Sequence, residues 1–181
     1  SHDEVPLMPR KARTENESIV RVLKRAHDGT PWHGPSRGAL LADVTAEVAA
    51  WHPGAGAHSI WETVLHMRSW TDEVARRALD GHHDPDTEPV GGDWPDVTET
   101  SERAWREAVA SLDASHAALV AIVREMPTAQ LDAPVGISAK HPEGTGISHA
   151  NMFRSLAEHD VYHAGQLSLL KRLARKAMRR E

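Results

Sequence analysis

Residues 148–181 read SHANMFRSLAEHDVYHAGQLSLLKRLARKAMRRE, and this stretch decides the fold class. Apolar side chains recur at 4-3 spacing through Met152, Leu156, Leu170, Leu173 and Ala177, the pattern of a long helix with one buried stripe. Three consecutive positions of that stripe are polar: His159, His163 and Gln166. A buried imidazole left without a partner costs about 1–3 kcal/mol for each unsatisfied group, so three polar residues in a row need a common cause. Residues four apart on a helix stack on one face roughly 6 Å from each other. The ring nitrogens of His159 and His163 can therefore converge on one metal ion, and neutral imidazole is a good ligand for zinc and its neighbours. A hydrogen-bonded core network is the bland alternative.

Working outward, three more long helices appear and no stretch alternates as a strand. The first opens at a capping box, Thr14-Glu15-Asn16-Glu17, carries Ile19, Val20, Leu23 and Ala26, and stops at Gly29. The loop Pro31–Ser36 leads to a shorter helix through Leu40, Leu41, Val44 and Val48. The second long helix starts at another box, Ser59-Ile60-Trp61-Glu62, and runs to about Asp80, with Gly81 as its stop. Residues 81–97 are loop, rich in Gly, Pro and Asp. The third helix is expected from about Asp96 to Met126, and a second long loop from Pro127 to Ile147. The fourth helix starts near Ser148. The expected fold is all-α, an antiparallel four-helix bundle in a single domain spanning 1–181, with residues 1–12 as a flexible N-terminal extension. Both interhelix loops are long for a simple bundle, so at least one is expected to cross over or to lie across the mouth of a site.

Composition narrows the function. Hydrophobic residues make up 40% and charged residues 26%, as in ordinary globular proteins. A net charge of -5, from 21 basic and 26 acidic residues, argues against nucleic acid as a partner. The basic run from Lys171 to Arg180 suits a helix C-terminus, where cations complement the dipole. The absence of cysteine removes disulfides, thiolate metal sites and cysteine nucleophiles, so thiol chemistry would need a thiol brought by the substrate. No run of 18 or more apolar residues exists that could span a membrane, and Ser1-His2-Asp3-Glu4 lacks the order of a signal peptide; the expected location is the cytoplasm.

A metal centre on His159 and His163 needs a third protein ligand. The chain has 13 histidines to choose from. His66 lies mid-way along the second long helix, beside its apolar seam, with Glu62 and Trp70 one turn on either side. His82, His83, Asp84 and Asp86 form a polar loop cluster. His52, His58 and His141 lie in loops, His27, His33 and His149 near helix ends, and His116 in the third helix.

Three segments carry a resemblance to a known family. They are Trp32-His33-Gly34-Pro35-Ser36, His58-Ser59-Ile60-Trp61-Glu62-Thr63-Val64-Leu65-His66 and His159-Asp160-Val161-Tyr162-His163-Ala164-Gly165-Gln166. In this order they resemble the DinB-like superfamily, which includes the YfiT-type metal-dependent hydrolases. The resemblance implies a four-helix bundle with a crossover connection, often as a homodimer. It also implies one divalent metal ion, commonly zinc or nickel, held by three histidines at the positions of His66, His159 and His163. Some relatives are similar to thiol S-transferases, which join a low-molecular-weight thiol such as bacillithiol or mycothiol to an electrophile, or to thiol-dependent isomerases.

These residues lead to an expected function. A three-histidine centre with an open position would activate water or a thiol for attack on a small-molecule substrate, as a hydrolase or thiol S-transferase. Gln166, one turn beyond His163, is a candidate for contacting substrate or bound water. Asp160 and Glu62 are candidates for orienting a ligand imidazole. Trp61 and Trp70 are candidate pocket walls. Two rivals remain: a metalloprotease reading of H-D-x-x-H, in which Asp160 has too short a reach for the usual Glu, and a non-catalytic, stress-related bundle with a structural metal or a dimeric interaction face.

Overall fold

The computed structural model describes residues 13–54, 56–80, 88–137, 140 and 142–180. The N-terminal extension 1–12, the cluster His82, His83, Asp84 and Asp86, and His141 lie outside the described residues. Among the described residues every regular element is helical: α1 Glu15–His27, α2 Arg37–Leu41, α3 Ala46–Ala50, α4 Ile60–Asp80, α5 Glu102–Glu125, α6 Thr128–Leu131 and α7 His149–Met178. None of these helices is long and apolar enough to cross a membrane.

Local chemistry sets the ends of α1 and α4. Glu17 N–H donates to Thr14 Oγ1 at 3.2 Å while Thr14 N–H donates to Glu17 Oε2 at 2.9 Å. Ser59 and Glu62 close the same reciprocal box at 2.7 and 3.1 Å. Such caps satisfy amide groups that the helix cannot, each typically contributing about 1 kcal/mol. Two boundaries differ from the sequence reading. The short helix expected through Leu40 and Val48 is two helices, because the Val44 carbonyl turns outward to accept Trp105 Nε1–H at 2.7 Å and Thr45 then caps α3. The third long helix begins at its cap Ser101, not near Asp96, since Ser101 Oγ accepts from Ala104 N–H at 3.2 Å.

The four long helices form a ring in which α1 and α4 each pack against both α5 and α7. Cross-contacts give their directions. Asn16 near the start of α1 donates to the carbonyls of Val123 and Met126 at the end of α5, whereas His27 at the end of α1 stacks on His116, so these two helices are antiparallel. His66 and Trp70 meet His163 and His159 in that order, so α4 and α7 are antiparallel as well. Trp61 packs on Trp105 while Val74 shares a core with Leu119 and Val120, so α4 and α5 run the same way. The chain between them therefore has to return along the bundle. On that path Asp93 passes His66, and Val97 reaches the far core.

The core falls into two apolar clusters. One, at the α1 start, holds Ile19, Leu23, Val74, Leu119, Phe153 and Leu156. The other holds Leu40, Ile60, Met67, Trp105, Leu112 and Leu167, with α2 and α3 closing that end. Between them, at mid-height, lies a layer of polar side chains: His66 on α4, His116 on α5, His159, Asp160 and His163 on α7, and Arg37 on α2. Beyond Gln166 the buried stripe of α7 shifts, so that Leu167 and Ala174 are enclosed and Leu173 is 39% exposed. A helix drifts by about 20° per heptad from a strict 3.5 repeat, which accounts for the change.

His116 makes a sensitive probe of this layer. It is buried, stacks on His27 at 4.0 Å, and its Nε2 has no hydrogen-bond partner among the described residues. Burial, helped by His27 and Arg37, pushes its pKa down to about 3 from 6.5. The unfolded chain then binds a proton near pH 6.5 that the folded chain refuses, so stability from this group is complete above that pH and is lost as pH falls towards 3. At pH 5 the loss amounts to about 2 kcal/mol. Urea denaturation of His116→Phe should show a pH 7.5-to-5 stability difference smaller than that of the parent by about this amount. An identical difference in both proteins would show that His116 titrates alike folded and unfolded.

Candidate metal centre

The three imidazoles at mid-height point at one another. His66 Nε2 lies 3.0 Å from His159 Nε2, and His163 Nε2 lies 3.1 Å from the same atom. One ligand atom from each residue falls within 4.8 Å of the other two. His66 comes from the middle of α4, and the i, i+4 pair comes from α7. Antiparallel packing of α4 on α7 brings them level.

The far sides of two rings are held by oxygen acceptors. His66 Nδ1 lies 2.7 Å from the Asp93 carbonyl, and His163 Nδ1 lies 2.6 Å from Gln166 Oε1. A carbonyl oxygen only accepts, so each Nδ1 must carry the proton and each Nε2 must present a lone pair. Burial lowers the pKa of His66 and His163, outweighing the opposing effects of Asp93 and Gln166. Burial, then the neighbouring His163 and His66, lowers His159 to about 4. All three rings are therefore neutral near pH 7.

The donor set passes a test of fit for a cation. Two lone pairs directed at a third ring nitrogen at 3.0 and 3.1 Å repel unless something positive lies among them. A single proton on His159 Nε2 can serve only as one donor shared between the two lone pairs. A divalent cation is the group that would satisfy three neutral nitrogens together.

Residues 38–167 match the family profile of the DinB superfamily. The chain belongs to the DinB superfamily. The match runs from α2 into α7 and includes His66, His159, His163 and Gln166, the whole histidine cluster of this DinB-like chain. Comparisons with curated proteins and with solved structures found no match.

The other candidates divide. Gln166 binds the ring of His163 and so acts on the cluster from behind. Trp70 lines the pocket in front of it. Trp61 does not: it is buried against Trp105 in the lower core, ring centroids 5.2 Å apart. Asp160 points away from the imidazoles to Arg37, its Oδ2 2.9 Å from Nη1. Burial raises the Asp160 pKa to about 6 against the pull of that guanidinium. Glu62 closes the cap of α4 and pairs with His52 at 3.3 Å, so it touches none of the three rings.

Two residues of the site were not singled out from sequence. Asp93 receives His66 on its carbonyl and Trp70 Nε1–H on its carboxylate at 2.6 Å. Trp94 stacks between His66 at 3.9 Å and His58 at 3.5 Å, nearly parallel to both. The available signal was Gly91-Gly92-Asp93-Trp94-Pro95, a large aromatic in an otherwise polar loop, where nothing but a buried neighbour would hold it.

Long-range proton–nitrogen spectra of the metal-free protein at pH 7.5 should place the protons of His66 and His163 on Nδ1. An Nε2-protonated ring at either position would contradict the acceptor geometry of Asp93 and Gln166.

Proposed function

We propose that the chain is a metal-dependent enzyme in which His66, His159 and His163 hold one divalent ion, zinc or nickel, in the polar layer of the bundle. The convergence of three neutral Nε2 atoms carries this reading. A divalent ion bound there would lower the pKa of a coordinated water or thiol, supplying hydroxide or thiolate near neutral pH for a hydrolytic or thiol-transfer reaction. The protein's own contribution is orientation. Asp93 and Gln166 fix two rings through their Nδ1 atoms, the kind of support whose loss typically costs 10–100-fold in metal affinity. Trp94 covers the face of His66 and limits its access to bulk water.

A pocket of about 540 Å³ opens onto the imidazoles. A purely structural ion has no use for such a space, because structural sites close around four protein ligands. The pocket therefore supports catalysis on a small molecule over a non-catalytic metal-binding bundle.

Protein purified without an affinity tag should bind about one equivalent of zinc or nickel by elemental analysis, and His163→Ala should bind less than about a tenth of that. Stoichiometric uptake by His163→Ala, or none by the parent, would remove the assignment. The reaction type is separable by assaying one electrophile with and without a panel of small thiols. Turnover that needs no thiol would leave the hydrolase reading alone.

A further inference from the structure

The wall of the pocket has a chemistry distinct from its floor. Its lining is mostly apolar and includes Trp70, Trp94, Ile147, Met152, Leu156 and Tyr162. The charged groups among its lining are already engaged. The Asp93 carboxylate accepts Trp70 Nε1–H, and Arg77 Nε donates to Glu73 at 2.7 Å while its guanidinium carbon sits 5.6 Å over the Trp70 ring. Ser155 and Tyr162 carry hydroxyls, but both are exposed at the mouth. Two apolar groups also stand open to solvent there: Ile147 is 49% exposed and Tyr162 65%. The volume lies within the roughly 300–1,000 Å³ typical of small-molecule sites, where apolar walls surround a few fixed polar groups.

We infer that this pocket accepts an apolar molecule of aromatic-ring size carrying a single donor atom directed at the imidazoles, and that it selects against hydrophilic small thiols. The inference rests on the metal-centre reading above for the role of that donor atom. A sugar-bearing or zwitterionic thiol would have to strip water from hydroxyl or charged groups and place them against Trp70, Met152 and Leu156. Those walls return no hydrogen bonds, so the desolvation goes uncompensated. A ring or short aliphatic chain loses nothing on entry and covers apolar surface that water otherwise wets. A thiol used by this site is thus an apolar one.

The test is calorimetric titration of the full, zinc-loaded chain with benzyl mercaptan, 1-thioglucose and cysteine. Benzyl mercaptan should bind at least about tenfold more tightly than either hydrophilic thiol. Equal or tighter binding of 1-thioglucose or cysteine would overturn the inference. Ser155→Trp fills the pocket from an exposed helical position, and Ile147→Asp puts a charge on its rim. Each should weaken benzyl mercaptan by about tenfold or more with zinc stoichiometry unchanged. Undiminished affinity in both variants would place the ligand elsewhere and sink the proposal. Benzyl alcohol titrated into zinc-free protein separates the two readings. If zinc does not bind but benzyl alcohol does, and Ser155→Trp abolishes it, the metal reading falls and the apolar pocket stands. If zinc binds and the thiols show no preference, the reverse holds.

Discussion

A buried ion pair, Arg37 with Asp160, fixes the way the last helix faces. Arg37 is 1% exposed and Asp160 2% exposed, and their charged atoms meet at 2.9 Å. Neither charge has an alternative in water, so removing one partner from such a pair typically costs about 3–5 kcal/mol. Arg37 is held in turn by His27, and α2 sits close on the end of α1 because Gly38 has no side chain; a Cβ there would meet the His27 carbonyl oxygen at 3.1 Å. Successive residues on a helix point about 100° apart. Drawing Asp160 inward towards α1 and α2 therefore turns His159 and His163 towards α4. The azimuth of α7, on which the convergence of the imidazoles depends, follows from a contact on a neighbouring face of the same helix.

That contact belongs to a wider division of the core. The two apolar clusters supply burial at each end of the bundle, with side chains such as Leu23, Phe153, Met67 and Leu112 each contributing about 1.5–3 kcal/mol when fully enclosed. The polar layer between them contributes less to stability and more to alignment, because its groups meet only when α1, α2, α4, α5 and α7 are level. Arg37 Nε, His116 Nε2 and Asp160 Oδ1, which have no hydrogen-bond partner among the described residues, mark where their satisfaction is incomplete. Buried polar groups of this kind are a cost that a protein bears for a specific arrangement.

Features coded by short-range patterns were legible in the sequence. The capping boxes at Thr14 and Ser59 and the start of α7 at Ser148 all depend on residues within one turn. The i, i+4 pair of His159 and His163 is of the same kind. What stayed hidden depends on partners far along the chain. Asp160 looked like a candidate support for its histidine neighbours, and only the position of Arg37 shows which way it turns. Trp61 and Trp70 were both candidate pocket walls, yet Trp61, about 140° round the helix from His66, packs on Trp105, whereas Trp70, one turn from His66, lines the pocket. The split between α2 and α3 needs the indole of Trp105, which lies 61 residues beyond Val44. Asp93 and Trp94 sit in a segment without periodicity, so no pattern could assign their neighbours.

The separation in sequence of these partners has a consequence for how the protein assembles. His66 and His159 are 93 residues apart, Arg37 and Asp160 123, and Glu15 and Arg154 139. Closing such long loops costs entropy before any contact returns it, whereas a capped helix forms from local bonds in about a microsecond. The helices and their caps can come first, and the polar layer can close only after α7 docks between α1 and α4. The centre thus cannot form before α7 is in place. A fragment ending before α7 would keep one of the three ring nitrogens, His66 Nε2, and would hold Arg37 without its partner Asp160.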